Sequence, residues 1–193
     1  MYALSSALRA SGPNAGLALP KPFALLVALA MIVVGAPAHA DVTLTDLQIA
    51  ARALSFVSDP LSGKVRIGIV YASDSPRSVS QAQQLRGMLA DGMRIGTLEL
   101  RPVLLESREV AAADVDLYFL TEYILTDATP PLPGGSARRK VLCVTTDIEQ
   151  VQKGACVMGV RSRPKVEVFV NRAAAAANDV TFSTVFRVMI TEL

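Results

Sequence analysis

Histidine is nearly absent from this chain and tryptophan is absent altogether; the one histidine, His39, lies in a segment expected to be removed. Residues 41–193 therefore hold none of the side chains that build Ser-His-Asp or Cys-His catalysis or histidine-based zinc sites, and none that titrates near neutral pH without help. A Ser/Lys dyad or a carboxylate pair would remain as enzyme chemistry, but neither shows a recognisable spacing. Charge of one sign is also missing. Arg9 and Lys21 are the only charged residues before Asp41, so of 19 basic residues 17 remain beyond residue 40, against 17 acidic ones. The basic whole-chain balance thus says nothing about nucleic acid, and no Lys/Arg stripe with interleaved aromatics offers a phosphate-tracking surface.

What the chain does have begins with an apolar run from Phe23 to Val34, followed by Ala38-His39-Ala40, the small-x-small pattern of a signal-peptidase site. Twelve residues are too few to cross a bilayer as a stable helix, which takes about 20. The reading is a signal peptide over residues 1–40, a mature start near Asp41 and a periplasmic location; an uncleaved anchor is the alternative. The remaining 153 residues suit one domain.

Hydrophobic periodicity orders that domain. "LQIAARALSFV" is expected to form a helix after a Thr45 or Asp46 cap, with Leu47, Ala50, Leu54 and Val57 on one face. "KVRIGIVY" (64–71) reads as a strand entering a buried sheet, and "SVSQAQQLRGMLADG" as a helix ending at Gly92. "TLELRPVLL" (97–105) is a second strand whose Pro102 points to an edge or a strand end. A third covers Asp116 to Leu120, "KVLCVTT" (140–146) is a fourth, and a short helix runs from Asp147 to Gly154. Strand, helix and strand alternate, so the expected class is α/β: a mostly parallel sheet flanked by helices, Rossmann-like or like one lobe of a periplasmic binding protein. "ACVMGVRS" and "KVEVFVN", either side of Arg163-Pro164, add a C-terminal antiparallel hairpin. Ala173 to Ala177 form a short helix, and a last helix places Phe182, Val185, Phe186 and Met189 against the sheet.

The order of these patterns carries a resemblance. Alternating valines ending in Asn171, an alanine-rich helix, a break and the terminal "TFSTVFRVM" are similar to the C-terminal signature of the YfiR-like periplasmic proteins, in which a strand ends in Phe-x-x-Asn. Here Phe169 and Asn171 are separated by one residue. "VRIGIVY", "DLYFL", "KVLCVTT" and a cysteine near the following strand extend the likeness over residues 45–190. The chain departs from the family pattern with Ser58-Asp59-Pro60 where an aromatic-Pro pair is usual, and with Gly154-Ala155-Cys156 in place of Gly-Gly. The resemblance implies a non-enzymatic α/β regulator without cofactor or metal. Its partner would be an inner-membrane signalling protein, typically a diguanylate cyclase that it represses in c-di-GMP signalling, or else a histidine kinase; self-association as a homodimer is open. The alternative is a small solute-binding module.

Individual residues carry further expectations. Cys143 and Cys156, an even pair in an exported chain, read as a disulfide, structural or redox-responsive, with buried free thiols as the alternative. Asn171 reads as a helix cap or as a ligand contact at a strand's carboxyl end. Ser73, Ser75 and Ser78, after the first strand, form either a solvated turn or an anion- or partner-binding loop, although the glycines of a phosphate-binding fingerprint are missing. "EYILTDATPPLPGG" is a partner loop or a plain connection, and Arg138 to Lys140 a solvated entry to a strand.

Overall fold

In the computed structural model, which describes residues 41–122, 124 and 141–193, the first helix, α1 (Leu44–Leu54), starts one turn earlier than its periodicity suggests. Thr43 is the cap. Its hydroxyl accepts the backbone N–H of Asp46, and the Asp46 carboxylate accepts both the backbone N–H and the hydroxyl of Thr43. Neither Thr45 nor Asp46 is therefore the N-cap, because Asp46 is needed as the third helical residue of a capping box. The other Asp46 oxygen accepts the N–H of Ser162 at 2.9 Å, which ties the start of the helix to a distant hairpin.

The parallel strands follow from runs of Val, Ile and Leu long enough to be buried on both faces. They are β1 (Gly63–Tyr71), β3 (Leu98–Glu106), β4 (Leu117–Leu120), β5 (Leu142–Thr145) and β6 (Met158–Arg161). Two short strands escaped the sequence reading: β2 (Met93–Ile95), antiparallel on β3, and β8 (Thr191–Glu192), parallel to β7 (Glu167–Val170). The sheet order is β2-β3-β1-β4-β5-β6-β7-β8. The expected hairpin is β6 antiparallel to β7. Pro102 falls on β3 just past Leu100, the last residue paired with β2, where the strand lies on the sheet edge and a missing N–H costs no ladder bond.

Sequence order reverses between β1 and β4. From β1 the chain crosses through α2 (Pro76–Leu89) to β3 on one side; from β4 it proceeds to β5, then through α3 (Ile148–Gln152) to β6 on the other. Right-handed crossovers running in opposite directions put their helices on opposite faces. One core cluster accordingly joins Leu47 and Leu54 of α1 with Leu85 and Leu89 of α2, Ile67, Phe119 and Met158. The other joins Val151 of α3 with Val70, Tyr118 and Cys143. Gly92 and Gly154 end α2 and α3 with φ of 76° and 75°, the left-handed conformation that glycine adopts without steric cost.

Ion pairs lie on the surface and set the acid limit of the fold. Hydrogen bonding from Arg101 holds the Glu99 carboxyl below the ordinary value of 4.5. The Ser73 hydroxyl and then Arg108 do the same for Glu106, Lys165 and Arg161 for Glu167, and Arg187 for Glu192. A carboxyl whose folded pKa is depressed stabilises the fold above its unfolded pKa, and that contribution disappears as pH falls through the lower, folded value. With no histidine beyond residue 40, the urea midpoint is expected to be flat between about pH 5 and 8 and to fall below about 4.5. A change in midpoint centred near pH 6.5 would contradict this.

Candidate functional site

Open α/β sheets bind ligands at the carboxyl ends of the strands where the order reverses, which here is the space between the ends of β1 and β4. The three serines lie beside it, and each hydroxyl is engaged within the protein. Ser75 caps α2 by accepting the N–H of Ser78. Ser78 is fully buried; its oxygen accepts the N–H of Ala72 at 2.9 Å and meets Thr121 Oγ1 at 2.6 Å. Thr121 donates in turn to the carbonyl of Val70 at 3.0 Å. Ser73 donates to the Glu106 carboxylate. Hydroxyl contacts thus stitch β1, α2 and β4 together across the switch point, and the charge next to Ser73 is negative.

The stitching continues to β5. Gln150, fully buried on α3, donates through Nε2 to the carbonyl of Thr121 at 2.8 Å and to Asp147 at 3.2 Å, so its Oε1 faces the other way. Among the described residues, that oxygen and the buried Oγ1 of Thr146 have no hydrogen-bond partner. Thr146 directly follows β5, so an unpartnered hydroxyl sits at that strand's carboxyl end.

Cys143 on β5 and Cys156, just before β6, form a disulfide with Cα atoms 5.1 Å apart. It closes the crossover that contains α3. Asn171 is the cap of α4 (Arg172–Ala177): Oδ1 accepts the N–H of Ala174 at 2.8 Å. Its Nδ2 donates to the carbonyl of Val151 at 2.8 Å, so both ends of the amide serve the fold. Phe169 packs against the cluster around α3 on the face opposite Val168 and Val170, with the Arg161 guanidinium 5.4 Å from its ring centre. Residues 1–40, the loop "TDATPPLPGGSARRK" and Arg138 to Lys140 lie outside the described residues.

The end of the chain differs from its sequence reading. The last helix, α5, covers only Thr184–Arg187, with Ser183 as its cap. Phe182 precedes it in an isolated bridge with Val57. Phe182 and Phe186 are buried, and Phe186 stacks on Phe56 at 4.9 Å. Val185 and Met189, expected on the same inward side, are instead 67% and 60% exposed, and Val188 is 82% exposed. A single helical turn cannot keep all four inward: Val185 follows the cap by two residues and points away, and Met189 lies past the helix end. Val185 in α5, Val188 at its C-cap and Met189 just beyond it thus form a run of exposed apolar residues at this end of the chain. Val166, just before β7, and Leu193, just after β8, are also exposed, at opposite ends of that strand pair. This apolar surface is the feature that sequence reasoning missed; the signal was Ser183, a strong cap residue that starts the helix after Phe182.

No family model matches this chain, and no curated protein matches it. Among solved structures it is similar to a conserved domain protein from Vibrio cholerae, at 13% identity over 77% of this chain and 58% of that one, with a TM-score of 0.48. It is also similar to an ABC domain in complex with L-Trp from Streptococcus pneumonia, at 12% identity over 76% of this chain and 60% of that one, with a TM-score of 0.49. The chain thus spans less than two thirds of either. Among the described residues, no helix is long and apolar enough to cross a membrane.

Proposed function

We propose that this protein is a non-enzymatic periplasmic regulator that works by binding another protein. The observation that carries the reading is the exposed apolar side formed by Val185, Val188 and Met189 beside an edge of the sheet. Scattered apolar residues are common on surfaces, whereas a group of this kind, close together in sequence, supports a contact with another protein. The disulfide suits an oxidising compartment. The resemblance to YfiR-like proteins supplies the class of partner: the periplasmic part of an inner-membrane signalling protein, a diguanylate cyclase in first place and a histidine kinase in second. Glutamates at Val188 and Met189 are expected to leave the fold intact, since both side chains are exposed, and to abolish repression. Cells carrying V188E/M189E should show cellular c-di-GMP raised several-fold over wild type; an unchanged level contradicts a cyclase as the partner.

A second reading, a small solute-binding module, is favoured by the strand reversal between β1 and β4 and by the Gln150 and Thr146 oxygens left without a partner among the described residues. Native mass spectrometry of protein purified from its own envelope separates the two. A retained small molecule supports the module, whereas a bare mass supports the regulator.

A further inference from the structure

One recess with apolar walls lies neither at the switch point nor beside α5. It lies at the amino ends of the strands, between the segment linking α1 to β1 and the segment linking α4 to α5. Its volume is about 490 Å³, within the range of small-molecule sites. Leu54, Val57, Leu61, Leu142 and Val180 supply the walls. We propose that this recess binds a small organic cation, an ammonium or guanidinium carried on an apolar body.

The charge of the lining decides the class of ligand. Among the described residues no lysine or arginine lines the recess, while three carboxylates do: Asp59, Asp116 and Asp179. Asp116 is partly engaged, because its Oδ2 accepts the N–H of Arg66 at 2.9 Å; the Arg66 guanidinium itself pairs with Asp114 at 2.6 Å. Asp59 and Asp179 come from the two linking segments and have no ion-pair partner among the described residues. Both are exposed, so a cation seated in the recess can donate charge-assisted hydrogen bonds to this lining without leaving a buried carboxylate unpaired. An anion would meet like charge, and a neutral apolar molecule would leave both carboxylates unused. A neighbouring groove shares Leu61 but is lined by Arg52 and Arg94, and so has the opposite preference. The two linking segments are joined at this point by the Ser58 N–H and hydroxyl, which both donate to the carbonyl of Thr181, at 2.8 and 3.2 Å. The carboxylates therefore sit on segments already held together before any ligand arrives. This site is separate from the partner surface and does not depend on it.

The test is titration of the mature protein with benzylamine and, in parallel, with benzyl alcohol, followed by methyl NMR of Leu54, Val57, Leu142 and Val180. Benzylammonium is expected to give saturable shifts at these methyls with affinity at least tenfold above benzyl alcohol. D59N/D179N should lose at least tenfold, whereas R52A, in the neighbouring groove, should bind as wild type does. Both aspartates are exposed, so the double variant should keep the dispersed spectrum of the folded protein. Equal binding of amine and alcohol, shifts confined to other residues, or full affinity in D59N/D179N would each overturn the proposal.

Discussion

Replacing both Cys143 and Cys156 by alanine is expected to lower the unfolding free energy by about 3 kcal/mol, the chain-entropy value for releasing a loop of about 14 residues. The two positions are 13 apart, and the loop they close contains the whole of α3. Both are buried in the second core cluster, so alanine also removes packed sulfur and adds to the loss. Urea unfolding of the oxidised protein and of C143A/C156A measures the difference; equal midpoints would show that packing alone fixes the crossover.

Gly159→Val is the second large effect, and it acts on the same crossover from the other side. A Cβ at Gly159 would lie 2.7 Å from Val151 Cγ2 and 2.9 Å from Ile148 Cδ1. The end of an isoleucine side chain can swing away. A valine in a helix is held near one rotamer, so Val151 can yield only if α3 lifts from β6. That movement would strain Asn171, whose Nδ2 holds the Val151 carbonyl, and Gln150, which reaches to Thr121. Overpacking of this kind costs about 1–3 kcal/mol, with alanine at the lower end and valine at or above the upper. Because G159V and loss of the disulfide both loosen α3, the triple variant should depart from additivity. Thermal unfolding of the two single-site variants, G159A and G159V, checks the order; a G159V protein as stable as wild type would contradict the close packing.

The parallel core was legible because its strands are runs of branched apolar residues, and the hairpin because two such runs flank Arg163-Pro164 at short range. Pro102 likewise announced an edge that β2 covers only in part. β2 and β8 were not legible: three and two residues are too few to show a period, and both form only because a neighbouring strand offers an unpaired edge. The terminal helix was misread for the opposite reason. Phe182, Val185, Phe186 and Met189 fit a helical period, but the period says nothing about where the helix starts, and Ser183 starts it too late to include Phe182. The helix also ends at Arg187, before Met189, so its single turn buries Phe186 and leaves Val185 exposed, and the functional reading rests on that. The serines of the first loop show a related limit. Their polarity was plain, yet the partner that buries Ser78 is Thr121, 43 residues away, which only the sheet order brings alongside.

The exposed apolar residues at the end of α5 are expected to contact a membrane signalling protein. A photo-crosslinking amino acid placed at Val188, in protein exported to its native envelope, tests this directly, with the same group at Gln83, exposed on α2, as the reference. The account expects irradiation at position 188 to yield one covalent adduct with an inner-membrane cyclase or kinase, and position 83 to yield none. An absence of adduct at 188, or the same adducts from both positions, would contradict it.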